Sequence, residues 1–139
     1  MADTIRIAVH GAAGRMGQRV VALAAADAGL KVTLALESAK SPALGKDAGE
    51  LAGIGKIGVP VTSELTTSCD VVIDFSMPEA CVHIAEICAQ RRVPLVVATT
   101  GLTEAQKSAI TTAAQETAVC FSPSMSLAVN LAMKLVREA

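Results

Sequence analysis

Gly11, Gly14 and Gly17 recur at even spacing in the run Gly11-Ala12-Ala13-Gly14-Arg15-Met16-Gly17. Glycines so placed let a chain turn tightly and let an anion approach backbone N–H groups closely. The run carries no base, nucleophile or metal ligand, so the chemistry it offers is phosphate binding. Glu37 stands about twenty residues past the last glycine, the distance at which a dinucleotide-binding unit places the acid that holds ribose hydroxyls. The spacing is G-x-x-G-x-x-G, with Ala13 where the usual fingerprint has a middle glycine. The bare spacing also fits an Ala/Gly-rich turn packing a helix on a sheet. Strand, loop, helix, strand and acid in that order favour the nucleotide reading.

Elements must position these residues, and apolar runs alternate with helical patterns along the whole chain. Strands are expected at Thr4–Val9, Lys31–Leu36, Val71–Phe75, Pro94–Ala98 and Ala118–Phe121, and helices at Arg15–Ala28, Pro78–Arg92, Glu104–Glu116 and Leu127–Arg137. Such alternation predicts βαβ crossovers and an α/β fold, a Rossmann-type doubly wound parallel sheet. The chain has 139 residues, enough for one domain spanning 1–139. It is 52% hydrophobic but 1% aromatic, so its core is built of Ala, Val, Leu and Ile. A net charge of -1, with no Trp or Tyr to stack on bases, argues against nucleic-acid binding. The start, Met1-Ala2-Asp3-Thr4-Ile5-Arg6, has no signal-like apolar region, and no apolar run approaches membrane-spanning length. A cytoplasmic protein with no membrane partner is expected.

Other candidates for chemistry are few. Cys69, Cys81, Cys88 and Cys120 form no C-x-x-C pair, so they read as reduced, buried thiols and no metal site is expected. His10 reads as a packing residue at a strand end. His83 falls inside a helix, facing solvent or a neighbouring helix, and neither His is read as catalytic. Ser76-Met77-Pro78-Glu79 and Thr103-Glu104-Ala105-Gln106 both have the pattern of a capping box. Ser38–Pro60, rich in glycine and lysine, reads as a surface excursion with one helical turn near Asp47–Ala52. It lies beside the adenosine end, as either a ribose-phosphate contact or a solvated connection. Leu127, Leu131, Leu135 and Val136 form an apolar stripe with no closing Gly, Asn or Pro before Ala139, which suggests a cut chain or a partner domain elsewhere.

Several stretches together resemble one family, the N-terminal half of 4-hydroxy-tetrahydrodipicolinate reductase (dihydrodipicolinate reductase). They are Gly11–Gly17, Ala35-Leu36-Glu37, Asp47-Ala48-Gly49-Glu50-Leu51-Ala52-Gly53, Val72-Ile73-Asp74-Phe75-Ser76 with Pro78-Glu79, Thr99-Thr100-Gly101, and Ser122-Pro123-Ser124-Met125-Ser126 leading to Val129-Asn130. The resemblance covers nearly the whole chain. It implies a reductase of the diaminopimelate route to lysine, using NADH or NADPH to reduce a cyclic dicarboxylate imine. It implies that Gly11, Ala12, Ala13, Gly14, Arg15 and Met16 hold the pyrophosphate and Glu37 the adenosine ribose. Ala98, Thr99 and Thr100 would line the nicotinamide side, with Ser122, Pro123, Ser124 and Met125 closing over the ring.

Four residues depart from the family pattern. Ser38 replaces an Arg that many members use for the NADPH 2′-phosphate, which leans the preference to NADH unless Lys40 or Arg15 substitutes. Ala98 stands for a frequent Gly, Ser124 for a common Asn and Met77 for a frequent Arg near the adenine. The family's second half, with its substrate domain, catalytic groups and tetramer interface, has no counterpart here. The resemblance therefore implies an isolated cofactor-binding domain of a homotetrameric enzyme, without catalytic residues of its own and meeting the dicarboxylate imine only with the missing domain. Two other readings stand beside it: a stand-alone dinucleotide-binding or sensing module, and a different two-domain dehydrogenase sharing this half.

Overall fold

The computed structural model describes residues 4–122 and 124–139. Six strands form one parallel sheet: β1 (Ile5–His10), β2 (Leu30–Leu36), β3 (Val61–Thr62), β4 (Val71–Asp74), β5 (Leu95–Val97) and β6 (Val119–Phe121), in the order β3-β2-β1-β4-β5-β6. The helices are α1 (Arg15–Ala26), α2 (Ala48–Leu51), α3 (Pro78–Arg91), α4 (Glu104–Ala113) and α5 (Leu127–Glu138). Strand order reverses between β1 and β4, and a crevice opens there beyond the carboxyl ends of the strands.

The core has two layers, because alternate side chains of a strand point to opposite faces. On one face Ile7, Val9, Val32 and Ala35 pack with Val21 and Ala24 of α1 and Ala48 of α2. On the other, Leu34, Leu36, Val72, Leu95 and Val97 meet Cys81, Ile84, Ala85 and Cys88 of α3 and Ile110 and Ala113 of α4. Strands covered on both faces read as continuous apolar runs, which is why the longer ones were visible in sequence.

The expected strands and helices form within a few residues of their expected ends. Helix α1 stops at Ala26, short of Ala28, because Asp27 leaves helical conformation (φ -98°, ψ 122°) and its carboxylate accepts the Gly29 amide at 2.7 Å. Strand β3 was not expected, since two residues carry no periodicity. It lies at the end of the excursion, which is ordered by one carboxylate. Asp47 caps α2 and accepts the amides of Gly49 (2.9 Å), Glu50 (3.3 Å), Ile57 (3.0 Å), Gly58 (2.8 Å) and Val59 (3.2 Å).

The capping box at Thr103 forms: its Oγ1 accepts the Gln106 amide while Gln106 Oε1 accepts the Thr103 amide. The one expected at Ser76 does not. Met77 is the N-cap of α3 and Pro78 opens the helix, which leaves Ser76 one residue outside the cap, and its hydroxyl donates to Asp74 Oδ1 at 2.6 Å. Cys69, Cys81 and Cys88 are buried as expected, and burial pushes the Cys88 thiol up to about 12. Cys120 corrects that expectation: it is exposed, because β6 is the sheet edge.

Candidate functional site

The glycine turn is shaped by its first and last glycines. Gly11 has φ +77°, and a Cβ there would lie 2.5 Å from the Phe75 carbonyl oxygen. A Cβ on Gly17 would lie 2.0 Å from the Gly11 carbonyl oxygen, so α1 can seat on the turn only with glycine at that point. The Gly11 and Ala12 amides both donate to the Leu36 carbonyl, at 3.0 and 3.1 Å. This ties the turn to the end of β2.

Gly14 differs. It is the N-cap of α1 with ordinary dihedrals (φ -72°, ψ 164°), and no side chain caps the helix. A Cβ there would meet the Gly11 oxygen at 3.2 Å, close but tolerable. The Gly14 amide donates to the Gly11 carbonyl at 3.1 Å. The amides of Arg15 and Met16, in the first turn of α1, have no intrahelical acceptor by the geometry of a helix end. They face outward with the positive end of the helix dipole, a ready site for an anion.

Glu37 follows β2 directly, its amide bonded to the Thr62 carbonyl of β3 at 2.9 Å. Its Oε1 accepts the Ala13 amide at 2.9 Å and its Oε2 the Ser38 amide at 3.3 Å. The acid and the glycine turn are therefore in direct contact.

Two adjoining cavities run across the switch point. The smaller, about 230 Å³, is lined by His10, Gly11, Gly14, Glu37, Ser38, Phe75, Ser76, Met77 and Ala80. The larger, about 750 Å³, is lined by Gly14, Arg15, Met16, Phe75, Ser76, Ala98, Thr99, Thr100, Ser122, Ser124, Met125 and Ser126. Gly14, Phe75 and Ser76 line both, so the two form one cleft with those residues at its waist. Gly11, Gly14, Arg15 and Met16 thus come together with Glu37, the residues after β5 and the segment after β6. Ala12 and Ala13 line neither cavity: Ala12 is buried in the core, and Ala13 reaches the site through its amide on Glu37. Pro123 lies outside the described residues.

Under the waist lies an acid that the sequence pattern does not single out. Asp74, at the end of β4, is fully buried. Its Oδ1 accepts from Ser76 Oγ at 2.6 Å and from His10 Nδ1 at 2.7 Å, and its Oδ2 from Thr99 Oγ1 at 2.6 Å. Burial pushes its carboxyl up, but bonds from His10, Ser76, Thr99 and the Cys81 thiol outweigh that and hold it below its ordinary value. His10 is therefore a polar partner of a buried acid, not the packing residue expected. The signal available in sequence was an Asp ending an otherwise apolar strand. His83 is exposed on α3.

In the segment after β6, Ser122 Oγ donates to the Ser124 carbonyl at 2.7 Å, and Asn130 Nδ2 donates to the carbonyls of Ser124 and Ser126, both at 2.8 Å. The segment is thereby fastened to the start of α5, whose Leu127, Leu131 and Leu135 are exposed. Among the described residues, no group of three or more His, Cys, Asp or Glu is placed to hold a metal, and no helix is long and apolar enough to cross a membrane.

A family model described as dihydrodipicolinate reductase, N-terminus, matches residues 5–125. The chain belongs to that family. The 4-hydroxy-tetrahydrodipicolinate reductase of Rhodopirellula baltica is 47% identical over 99% of this chain and 52% of its own length. That of Methylococcus capsulatus is 42% identical over 95% of this chain and 50% of its own. The chain spans about half the length of the curated relatives it matches. Among solved structures, a dipicolinate-bound dihydrodipicolinate reductase from Paenisporosarcina sp. TG-14 superposes with TM-score 0.72 at 25% identity, over 95% of this chain and 52% of that one. A myo-inositol dehydrogenase from Corynebacterium glutamicum shares the fold, with TM-score 0.62 at 21% identity over 96% of this chain and 42% of that one. Of the four departures from the dihydrodipicolinate reductase pattern, Ala98 and Ser124 line the larger cavity, and Ser38 and Met77 the smaller.

Proposed function

We propose that this chain binds NADH or NADPH in the cleft across β1 and β4 and is the cofactor-binding half of a reductase acting on 4-hydroxy-tetrahydrodipicolinate. The observation that carries the reading is the contact between Glu37 and the glycine turn at an uncapped helix N-terminus. The residues present fit such a group: Gly14 leaves the space a Cβ would fill, and the first amides of α1 face it.

In this reading Arg15 and Met16 donate their amides to the pyrophosphate, and the Arg15 guanidinium adds positive charge at the rim. The Glu37 carboxylate, already accepting the Ala13 amide, accepts from the adenosine ribose hydroxyls. The nicotinamide end lies in the larger cavity among Ala98, Thr99 and Thr100, under Ser122, Ser124 and Met125. Residues here bind and orient the ring and exclude water from one side. When bound, the dinucleotide supplies a hydride. The acceptor imine, its carboxylate partners and the proton donor for the forming amine are assigned to the other half of a full-length enzyme.

NADH is favoured over NADPH, because Ser38 offers no charge to a 2′-phosphate beside the Glu37 carboxylate. The whole enzyme is assigned to the cytoplasm and to a homotetramer, on the family resemblance. Calorimetric titration of the chain with NADH and with NADPH tests the reading: saturable binding with tighter NADH supports it, and no heat from either in a folded sample contradicts it.

A further inference from the structure

Four segments meet at Asp74: the end of β1 through His10, the turn before α3 through Ser76, α3 itself through Cys81, and the turn after β5 through Thr99. A carboxylate in such a place costs more to bury than an apolar side chain of the same volume. The fold alone gives no reason for it. Three of its donors, however, line the cleft. His10 lines the smaller cavity, Ser76 both, and Thr99 the larger.

An ionised carboxylate only accepts, and a hydroxyl has one proton to donate. Ser76 and Thr99 direct that proton inward to Asp74 at 2.6 Å each. What remains for the cleft is their oxygen lone pairs, above a buried negative charge. Such a floor accepts from a ligand N–H or O–H and opposes a ligand carboxylate.

We propose that Asp74 is a positioning residue of the nicotinamide half of the cleft, fixing Ser76 and Thr99 as acceptors so that the site takes a carboxamide and rejects the corresponding carboxylate. The proposal rests on the dinucleotide reading given above. It adds a selectivity for NAD over its nicotinic acid counterpart, which differs only in that group.

The test titrates the 139-residue chain with NAD⁺, nicotinic acid adenine dinucleotide and ADP-ribose, before and after Asp74→Asn. The wild-type chain is expected to prefer NAD⁺ by about tenfold or more, the order of one acceptor facing an acceptor across a desolvated contact. Asp74→Asn, whose amide can donate to a hydroxyl, should shrink that ratio to within about threefold while ADP-ribose affinity changes less than about threefold. A general structural role would instead lower all three affinities together. Should Asp74→Asn fail to fold, Thr99→Val and Ser76→Ala each remove one arm and should each narrow the ratio. A wild-type chain that binds both dinucleotides equally, or variants that keep the discrimination, overturn the proposal and leave the dinucleotide reading standing. A folded wild-type chain that binds none of the three overturns both.

Discussion

The Glu37 carboxylate and the Ala13 amide are hydrogen-bonded at 2.9 Å, joining the end of β2 to the middle of the glycine turn. One oxygen of the acid is thus fixed, and the side chain is oriented by the protein itself. Removing it has two consequences, a lost ribose partner and an Ala13 amide without its acceptor. Glu37→Ala should weaken NADH binding by about tenfold to a hundredfold, the range for a hydrogen bond to a charged group. Glu37→Gln can still accept the Ala13 amide and should lose less. Calorimetry on both variants checks the order.

The three glycines of the turn should respond differently. Gly17→Ala forces a Cβ against the Gly11 carbonyl oxygen and should destabilise the fold by about 1–3 kcal/mol or more, as overpacking does. Gly11→Ala adds the cost of its positive φ. A Cβ on Gly14 meets only one close atom, so Gly14→Val should fold near normally and yet lose dinucleotide binding, because its side chain fills the space before the helix amides. Chemical denaturation beside ligand titration separates stability from binding.

Much of this arrangement was legible in the residues. The long buried strands and the helices covering them announced themselves as apolar runs of two lengths, and the turn and its acid stood at a known spacing. What stayed hidden depended on tertiary contact. Val61 and Thr62 form a strand only because Leu36 offers a partner. Ser76 had a capping pattern, but α3 takes Met77 as its N-cap, and the Ser76 hydroxyl bonds a buried carboxylate two residues earlier. His10 resembled a packing residue because nothing local shows that Asp74 is its neighbour across β1 and β4.

Cofactor choice should follow the residue after the acid. Ser38 is exposed beside Glu37 and carries no charge. Ser38→Arg places a guanidinium where a 2′-phosphate would lie and should raise NADPH affinity by about tenfold, with NADH affected little. Parallel titrations with both cofactors measure the ratio.

Acid should unfold the chain through carboxylates the fold holds ionised. Asp70 accepts Arg6 Nη2 at 2.7 Å and Nε at 3.1 Å, and the Arg6 guanidinium holds its carboxyl down to about 2. The backbone amides around Asp47, led by that of Ile57, and the donors around Asp74 hold those carboxyls below their ordinary value too. In each case the folded value lies under the unfolded one, so the unfolded chain takes up the proton first. Each contribution is present above the unfolded value and is lost as pH falls through the folded one, which for Asp70 is about 2. Thermal melts should give a midpoint nearly flat from about pH 5 to 7 and falling steeply below about pH 4. Asp70→Asn should reduce part of that fall, and a midpoint indifferent to acid would contradict the assignment.

Whether the cleft across β1 and β4 holds a nicotinamide dinucleotide is decided by calorimetric titration of the folded chain with NADH and, separately, NADPH. The expected result is saturable one-to-one binding, tighter for NADH, that disappears in a folded Gly14→Val variant. The absence of binding by either cofactor, in a chain shown to be folded by its melting transition, would contradict it.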